Sequence, residues 1–426
     1  MVPHLTTALS GPLLDIERSM LDALPVIEHW FRQQWQNRPA PFYASVDLRN
    51  AGFKLAPVDT NLFPAGFNNL NESFDPLCVQ AAMSAVEKIC PDTRQFLLIP
   101  ENHTRNLKYL ENIARLRSIL QRAGFAVRIG SLIPGLEQPM DVPLPNGQSI
   151  LLEPIERRHN RLMMPDYDPC AILLNNDMSA GIPSILENLG QAIVPPPQAG
   201  WSTRRKSKHF SAYRHVAREF SELIGIDPWL IDPYFAPVAG VEFSRQEGLE
   251  ALQQQVADVL AQIRLKYREH GIAQTPFVII KADAGTYGMG IMTVKDPTEL
   301  AQLNRRQRNK MAVIKEGMEV HEVLVQEGVP TFETVHDAVA EPVVYMIDHF
   351  VVGGFYRVHT ERGIDENLNA PGASFVPLAF ETTSMAADCT QQPDAPPNRF
   401  YTYGVVARLA LLAAAYELEA LASHHA

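Results

Sequence analysis

At 426 residues, with 46% apolar and 20% charged, the chain has room for two or three domains, or one two-lobed one, around a sizeable core. A net charge of -11 excludes a general nucleic-acid binder, which needs surplus Lys and Arg against phosphates; local basic clusters still suit a nucleotide. Cys78, Cys90, Cys170 and Cys389 form no C-x-x-C pair and read as reduced thiols of a cytoplasmic protein.

The N-terminal stretch MVPHLTTALSGPLLD has no basic region before an apolar core, so no secretory signal is expected. Residues 12 to 36 carry apolar residues at helical spacing, with a break at Pro25. Residues 42 to 70 begin like a strand and continue as a long polar segment holding Arg49, Lys54, Asp59, Asn61 and Asn68. A polar loop of that length is often functional, and Arg49 and Lys54 suit an amino-acid carboxylate; a solvated connection is the plainer alternative.

Strands and helices then alternate. Helices are expected over 77–89 and 106–123, with strands at 96–99, 125–129 and 171–174. A helix is expected over about 183–189, and the passage from 130 to 170 reads as irregular and Pro-rich. This alternation predicts a mostly parallel sheet with ligands beyond the strand ends, which nominates Asn175 to Asp177 as a site edge. Pro195-Pro196-Pro197 marks a boundary between residues 1–197, an N-terminal α/β domain that binds substrate, and residues 198–426.

The second part opens on a basic cluster, Arg204, Arg205, Lys206 and Lys208, at the start of a helix reaching about Leu223. Cations there oppose the helix dipole unless an anion such as phosphate is near. A second, amphipathic helix covers 247–269. Phe277 to Val294 then reads strand, glycine loop, strand. Lys281 ends the first strand, and Gly285, Gly288 and Gly290 let backbone amides approach an anion. An ordinary tight hairpin with an exposed lysine fits this segment equally well. A helix is expected from 297 to 310, a strand at 323–325 leading into Gln326-Glu327-Gly328-Val329, and an antiparallel hairpin over 343–359 bearing Arg357. The loop 361–374 offers Asp365, Glu366, Asn367 and Asn369, oxygen donors suited to Mg²⁺ or to an Asx turn. The apolar run 405–422, interrupted by Arg408, Glu417 and Glu419, predicts a docked helix rather than a membrane span.

Across residues 200 to 375 this order of parts resembles the ATP-grasp ligases, in which two α+β subdomains close on ATP. The resemblance implies phosphate contacts from Lys206 or Lys208 and from Lys281, under a lid made by the 285–290 loop. It implies adenine contacts from the backbone of Gln326, Glu327 and Val329, and a phosphoryl contact from Arg357. Glu366, Asn367 and Asn369 would hold Mg²⁺, although ENLNAPG matches the usual E-x-N-x-x-P-G only approximately. Glu341 and Asp348 are candidates for a further carboxylate.

More narrowly, VDLRNAGFKLAPVDTNLFPAGFNNL, IIKADAGTYGMGIM and GGFYRVH…ENLNAPGASF are similar to bacterial glutamate–cysteine ligases of about this length. That resemblance implies an N-terminal α/β sheet domain followed by an ATP-grasp-like two-lobed domain. The implied reaction is ATP- and Mg²⁺-dependent joining of glutamate to cysteine, with small-molecule partners and neither nucleic acid nor membrane. Two alternatives stay open: a glutathione synthetase-like ligase for another substrate pair, and a nucleotide-binding regulator without turnover.

Overall fold

Strict alternation along Tyr43–Asn50 builds the centre of the molecule. Ala44, Val46 and Leu48 enter one apolar core, while Ser45, Asp47 and Arg49 project from the opposite face. The computed structural model describes residues 12–92, 94–285, 290–312, 319–378 and 399–425. Within them the chain is a mixed α/β protein with several sheets.

The central sheet is antiparallel, ordered Ser374–Pro377, Phe350–His359, Ala338–Ile347, Tyr43–Asn50, Leu55–Asn61. The expected polar loop after residue 42 therefore begins as a hairpin inside a sheet. Its charged residues alternate onto a polar cleft face, and so the segment reads as polar loop beyond its strand-like opening. The expected hairpin bearing Arg357 is present, as Ala338–Ile347 against Phe350–His359. The sheet's apolar face is covered by the helix Arg399–His425, whose residues 401 to 415 are all buried. Arg408 ties that helix to Glu28 of the helix Leu24–Asn37 at 2.6 and 2.9 Å. Among the described residues no helix is long and apolar enough to cross a membrane.

A second sheet is parallel in the order Ala192–Val194, Ala171–Asn175, Gln95–Pro100, Ala126–Ser131, Ser149–Pro154, with Met140–Pro143 antiparallel at its edge. The helices Asp75–Ile89 and Leu107–Arg122 pack in its core. The Pro-rich passage is more ordered than its composition suggests, holding Met140–Pro143, Ser149–Pro154, Glu156–Arg158 and Arg161–Met163. The helix expected over 183–189 shrinks to the 3-10 turn Ser184–Leu186. Pro183 and the following Asn188, at positive φ, hold it short.

The third sheet runs Phe235–Ala239, Glu322–Glu327, Val278–Ala282, Ile291–Val294, all antiparallel, with the helices Lys206–Ile224 and Leu249–Glu269 against it. Val278–Ala282 and Ile291–Val294 form the expected hairpin, and Gly285 and Gly290 adopt φ of 107° and 61°, which side chains disfavour.

Two expectations need correction. Residues 1–197 are not self-contained, because the central sheet draws strands from 43–61 and from 334–377. The triple proline is a turn between units that share one sheet. Cys90 and Cys170 are joined as a disulfide rather than standing as separate thiols, while Cys78 is free and buried. Cys90 follows one helix and Cys170 precedes a strand, so the fold brings together residues 80 apart in sequence.

Candidate active site

The polar face of the central sheet gathers charge from three adjacent strands. Glu341 and Arg357 are register partners, and Arg49 lies on the next strand. Glu341 accepts from Arg49 Nε at 2.8 Å and from Arg357 Nη1 at 2.5 Å. Arg357 Nη1 also donates to Asp47 Oδ2 at 2.8 Å. Burial alone would raise the Glu341 carboxyl, but Arg49 and Arg357 outweigh it and hold it below the ordinary range. Asp47 goes the other way. Burial, with Glu341 and Asp59 nearby, keeps it raised in spite of Arg357.

A second cluster comes from the third sheet and its first helix. Lys206 donates to both oxygens of Asp59, at 2.6 and 2.9 Å, and Lys281 Nζ donates to the Val58 carbonyl at 2.6 Å. Burial pushes Lys281 down to about 7, and the neighbouring Lys206 acts in the same direction against the pull of Asp59. Asp59 is held well below its usual value: burial opposes this, but Lys206 and Lys281 prevail. The anions that the basic helix start calls for are supplied in part by the protein. Asp283 accepts from Ser207 N and Oγ at 2.7 and 2.6 Å, Arg204 pairs with Glu417, and Arg205 with Glu322.

The two clusters touch because Asp47 and Asp59 face each other across the hairpin Tyr43–Asn50/Leu55–Asn61. Around them lie two adjoining chambers open to solvent. The first has an apolar wall of Phe277, Ile279, Ile291 and Val329, with Lys206 and Lys281 also lining it. The Gln326 side chain is buried in that lining, and its Nε2 has no hydrogen-bond partner among the described residues. The second is polar, lined by Asn61, Asn68, Glu101, Lys108, Asp177 and Arg357 among others. Asp47, Asp59 and Asn369 line both.

Most of the residues nominated from sequence meet here. Arg49, Asp59, Lys206, Lys281, Gly285, Gln326, Glu327, Val329, Glu366, Asn367 and Asn369 line the first chamber; Asn61, Asn68 and Arg357 line the second. Gly290 neighbours Ile291 at the hairpin's return, and Gly288 lies outside the described residues.

Others fall elsewhere. Lys208 is exposed and lines a separate surface groove, because two residues along a helix turn a side chain about 200° from Lys206. Lys54 is fully buried against Glu327 at 2.8 Å, with Trp229 Nε1 and Tyr234 N donating to the same carboxylate. It braces the strand behind the cleft instead of meeting a substrate, and Glu327 can offer the cleft only its backbone. Replacing Lys54 with methionine is expected to cost about 3–5 kcal/mol of stability, since a buried carboxylate loses its cation. Denaturant unfolding checks this, and adding Glu327→Gln should return part of the loss. Asp348 sits in the turn after Ala338–Ile347, paired with Lys88 and His349, and is no part of the site. Asn175 donates to Tyr43 Oη and the Pro64 carbonyl and serves to tie two sheets together, whereas Asp177 does reach the second chamber.

In the acidic loop the Glu366 carboxylate accepts from Arg362 Nη1 and Gly363 N, and Asn367 Oδ1 accepts from Asn369 N. The residue that sequence reasoning missed is Asp47. Its place two positions before Arg49, on the same face of a strand, was the available signal.

A profile of the family described as Glutamate-cysteine ligase matches residues 17–418. The chain belongs to the glutamate–cysteine ligase family. The ligase is also similar to a crystal structure from Methylobacillus flagellatus KT, provisionally named a gamma-glutamylcysteine synthetase. The two share 65% identity over 99% of each chain, with a TM-score of 0.91. D-alanyl-alanine synthetase A from Vibrio cholerae O1 biovar eltor str. N16961 aligns at 12% identity over 75% of the ligase and 81% of that chain, with a TM-score of 0.36. A glutathione synthetase-like effector from Globodera pallida aligns at 10% over 88% and 86%, with a TM-score of 0.38. Likeness this slight in the last two carries no argument. No curated protein matches. The ligase thus uses ATP to join glutamate to cysteine, as its family does.

Proposed function

We propose that the first chamber binds ATP and the second binds the amino acids, with phosphoryl transfer where they meet at Asp47, Asp59 and Asn369. The observation that carries this reading is the junction itself. A lysine-lined chamber with an apolar slot adjoins there a polar chamber lined by Arg357. The nucleobase fits the slot between Phe277, Ile279, Ile291 and Val329, and the phosphates take the place now given to Asp59 beside Lys206 and Lys281.

A carboxylate is a poor acylating agent at neutral pH. The glutamate γ-carboxylate therefore attacks the γ-phosphorus to give an acyl phosphate. The cysteine amine then attacks that carbonyl carbon, and phosphate leaves. Lys281 neutralises the nucleotide's phosphates and Arg357 steadies the group in transit, so positioning and charge supply most of the rate. Glu366, Asn367 and Asn369 offer carboxylate and amide oxygens on one wall, a donor set suited to Mg²⁺. When bound, the ion would neutralise phosphate charge. A cytoplasmic location, where ATP is supplied, fits a reaction that consumes it.

The test is product analysis. Purified protein with ATP, Mg²⁺, glutamate and cysteine should release one phosphate per γ-glutamylcysteine, and omitting either amino acid should abolish ligation. A different preferred acceptor in an amino-acid panel would indicate another ligase. No phosphate release under any combination would indicate a regulator.

A further inference from the structure

The cysteine substrate arrives at neutral pH as an ammonium, which has no lone pair with which to attack an acyl phosphate. A proton must leave it at the place where the two chambers meet. The carboxylates of the cleft are unequally committed. Both oxygens of Asp59 accept from Lys206, and those of Glu341 are divided between Arg49 and Arg357. Those of Glu366 are taken by Arg362 and Gly363, and those of Glu327 by Lys54, Trp229 and Tyr234. Farther into the second chamber, Glu101 pairs with His103, and Asp177 accepts from Ser179.

Asp47 differs. One oxygen, Oδ2, is fixed by Arg357 Nη1 at 2.8 Å, and no described residue hydrogen-bonds the other. The residue lines both chambers, on the strand face shared with Arg49. We propose that Asp47 is the general base that takes the proton from the cysteine ammonium as its nitrogen attacks the acyl phosphate. The proposal rests on the ligase reading of this cleft.

The step balances without any further reactant. An N–H bond breaks and its proton passes to Asp47 Oδ1. The nitrogen lone pair forms the C–N bond, and the C–O bond to phosphorus-bound oxygen breaks, with its electron pair leaving on phosphate, which carries away the second N–H proton as hydrogen phosphate. Arg357 fixes the direction of the carboxylate and takes no part in the proton transfer; its guanidinium faces Asp47 and Glu341. The raised basicity that burial gives Asp47 suits it to hold a proton.

Hydroxylamine separates this role from a structural one, because it is uncharged at neutral pH and traps acyl phosphates without a base. The experiment compares the Asp47→Asn variant with the unaltered enzyme in two assays. One is ligation of glutamate to cysteine; the other is ATP-dependent formation of γ-glutamyl hydroxamate with hydroxylamine in place of cysteine. Ligation is expected to fall about 100-fold or more, the usual contribution of a general base, while hydroxamate formation stays within about three-fold. Retained hydroxamate formation also shows that the variant folds and that Arg357, still held by Glu341, keeps its place. Equal losses in both assays, or normal ligation to cysteine, would overturn the assignment. Absence of hydroxamate from the unaltered enzyme would instead overturn the ligase reading on which it stands.

Discussion

Replacing Lys281 with methionine is expected to lower turnover about a thousand-fold and to weaken nucleotide binding, with the fold unchanged. The side chain reaches the cleft from the end of Val278–Ala282, and among the described residues it donates to the Val58 carbonyl. Methionine fills the same volume without the charge. The pH dependence adds a second readout. Burial has lowered Lys281 to about 7, so at neutral pH roughly half of the free molecules hold it uncharged. A polyphosphate beside it raises that value, so binding takes up protons and the affinity for ADP falls as pH rises above 7. The methionine variant should lose this part of the slope. Stability follows the opposite course. Its folded value lies below the ordinary 10.5, so the unfolded chain binds more protons between 7 and 10.5, and stability rises with pH there. Calorimetric titration of ADP at several pH values measures the first effect; a slope unchanged by the substitution would remove Lys281 from the nucleotide site.

Arg357→Lys should be as damaging to turnover while sparing nucleotide affinity. The guanidinium lines the second chamber and not the first, and its Nη1 serves Asp47 and Glu341 together. An ammonium keeps the charge but lacks the planar fork, so the geometry at the transferring group is lost. The expected fall in kcat is on the order of a thousand-fold, comparable to the loss of an arginine that steadies a phosphoryl group, with the ADP affinity within about two-fold. Steady-state kinetics beside ADP titration separates the two variants. Should Arg357→Lys weaken ADP as Lys281→Met does, the division of labour between the chambers is wrong.

Periodicity made the helices and the late hairpin legible. Leu107–Arg122, Lys206–Ile224 and Leu249–Glu269 lie close to their expected spans because each buries one apolar stripe. The opening of Tyr43–Asn50 reads as a strand, but its continuation and the return strand Leu55–Asn61 were hidden by the function they serve. One face must carry Asp47, Arg49, Asp59 and Asn61, and that polarity reads as loop. Lys54 misled for the reverse reason: a charged residue suggested a ligand, whereas Glu327, far away in sequence, completes a buried pair. No local pattern announces that Tyr43 will lie opposite Ile347, so the sharing of one sheet between distant segments stayed out of view.

That shared sheet has a consequence for synthesis. Asp47 and Arg49 leave the ribosome early, but their neighbours Glu341 and Arg357 are translated only after both other sheets. The nascent chain must hold its first hairpin without its lateral partner until the last quarter emerges. A truncated product therefore lacks Glu341 and Arg357, and with them the proposed contact to the group in transit.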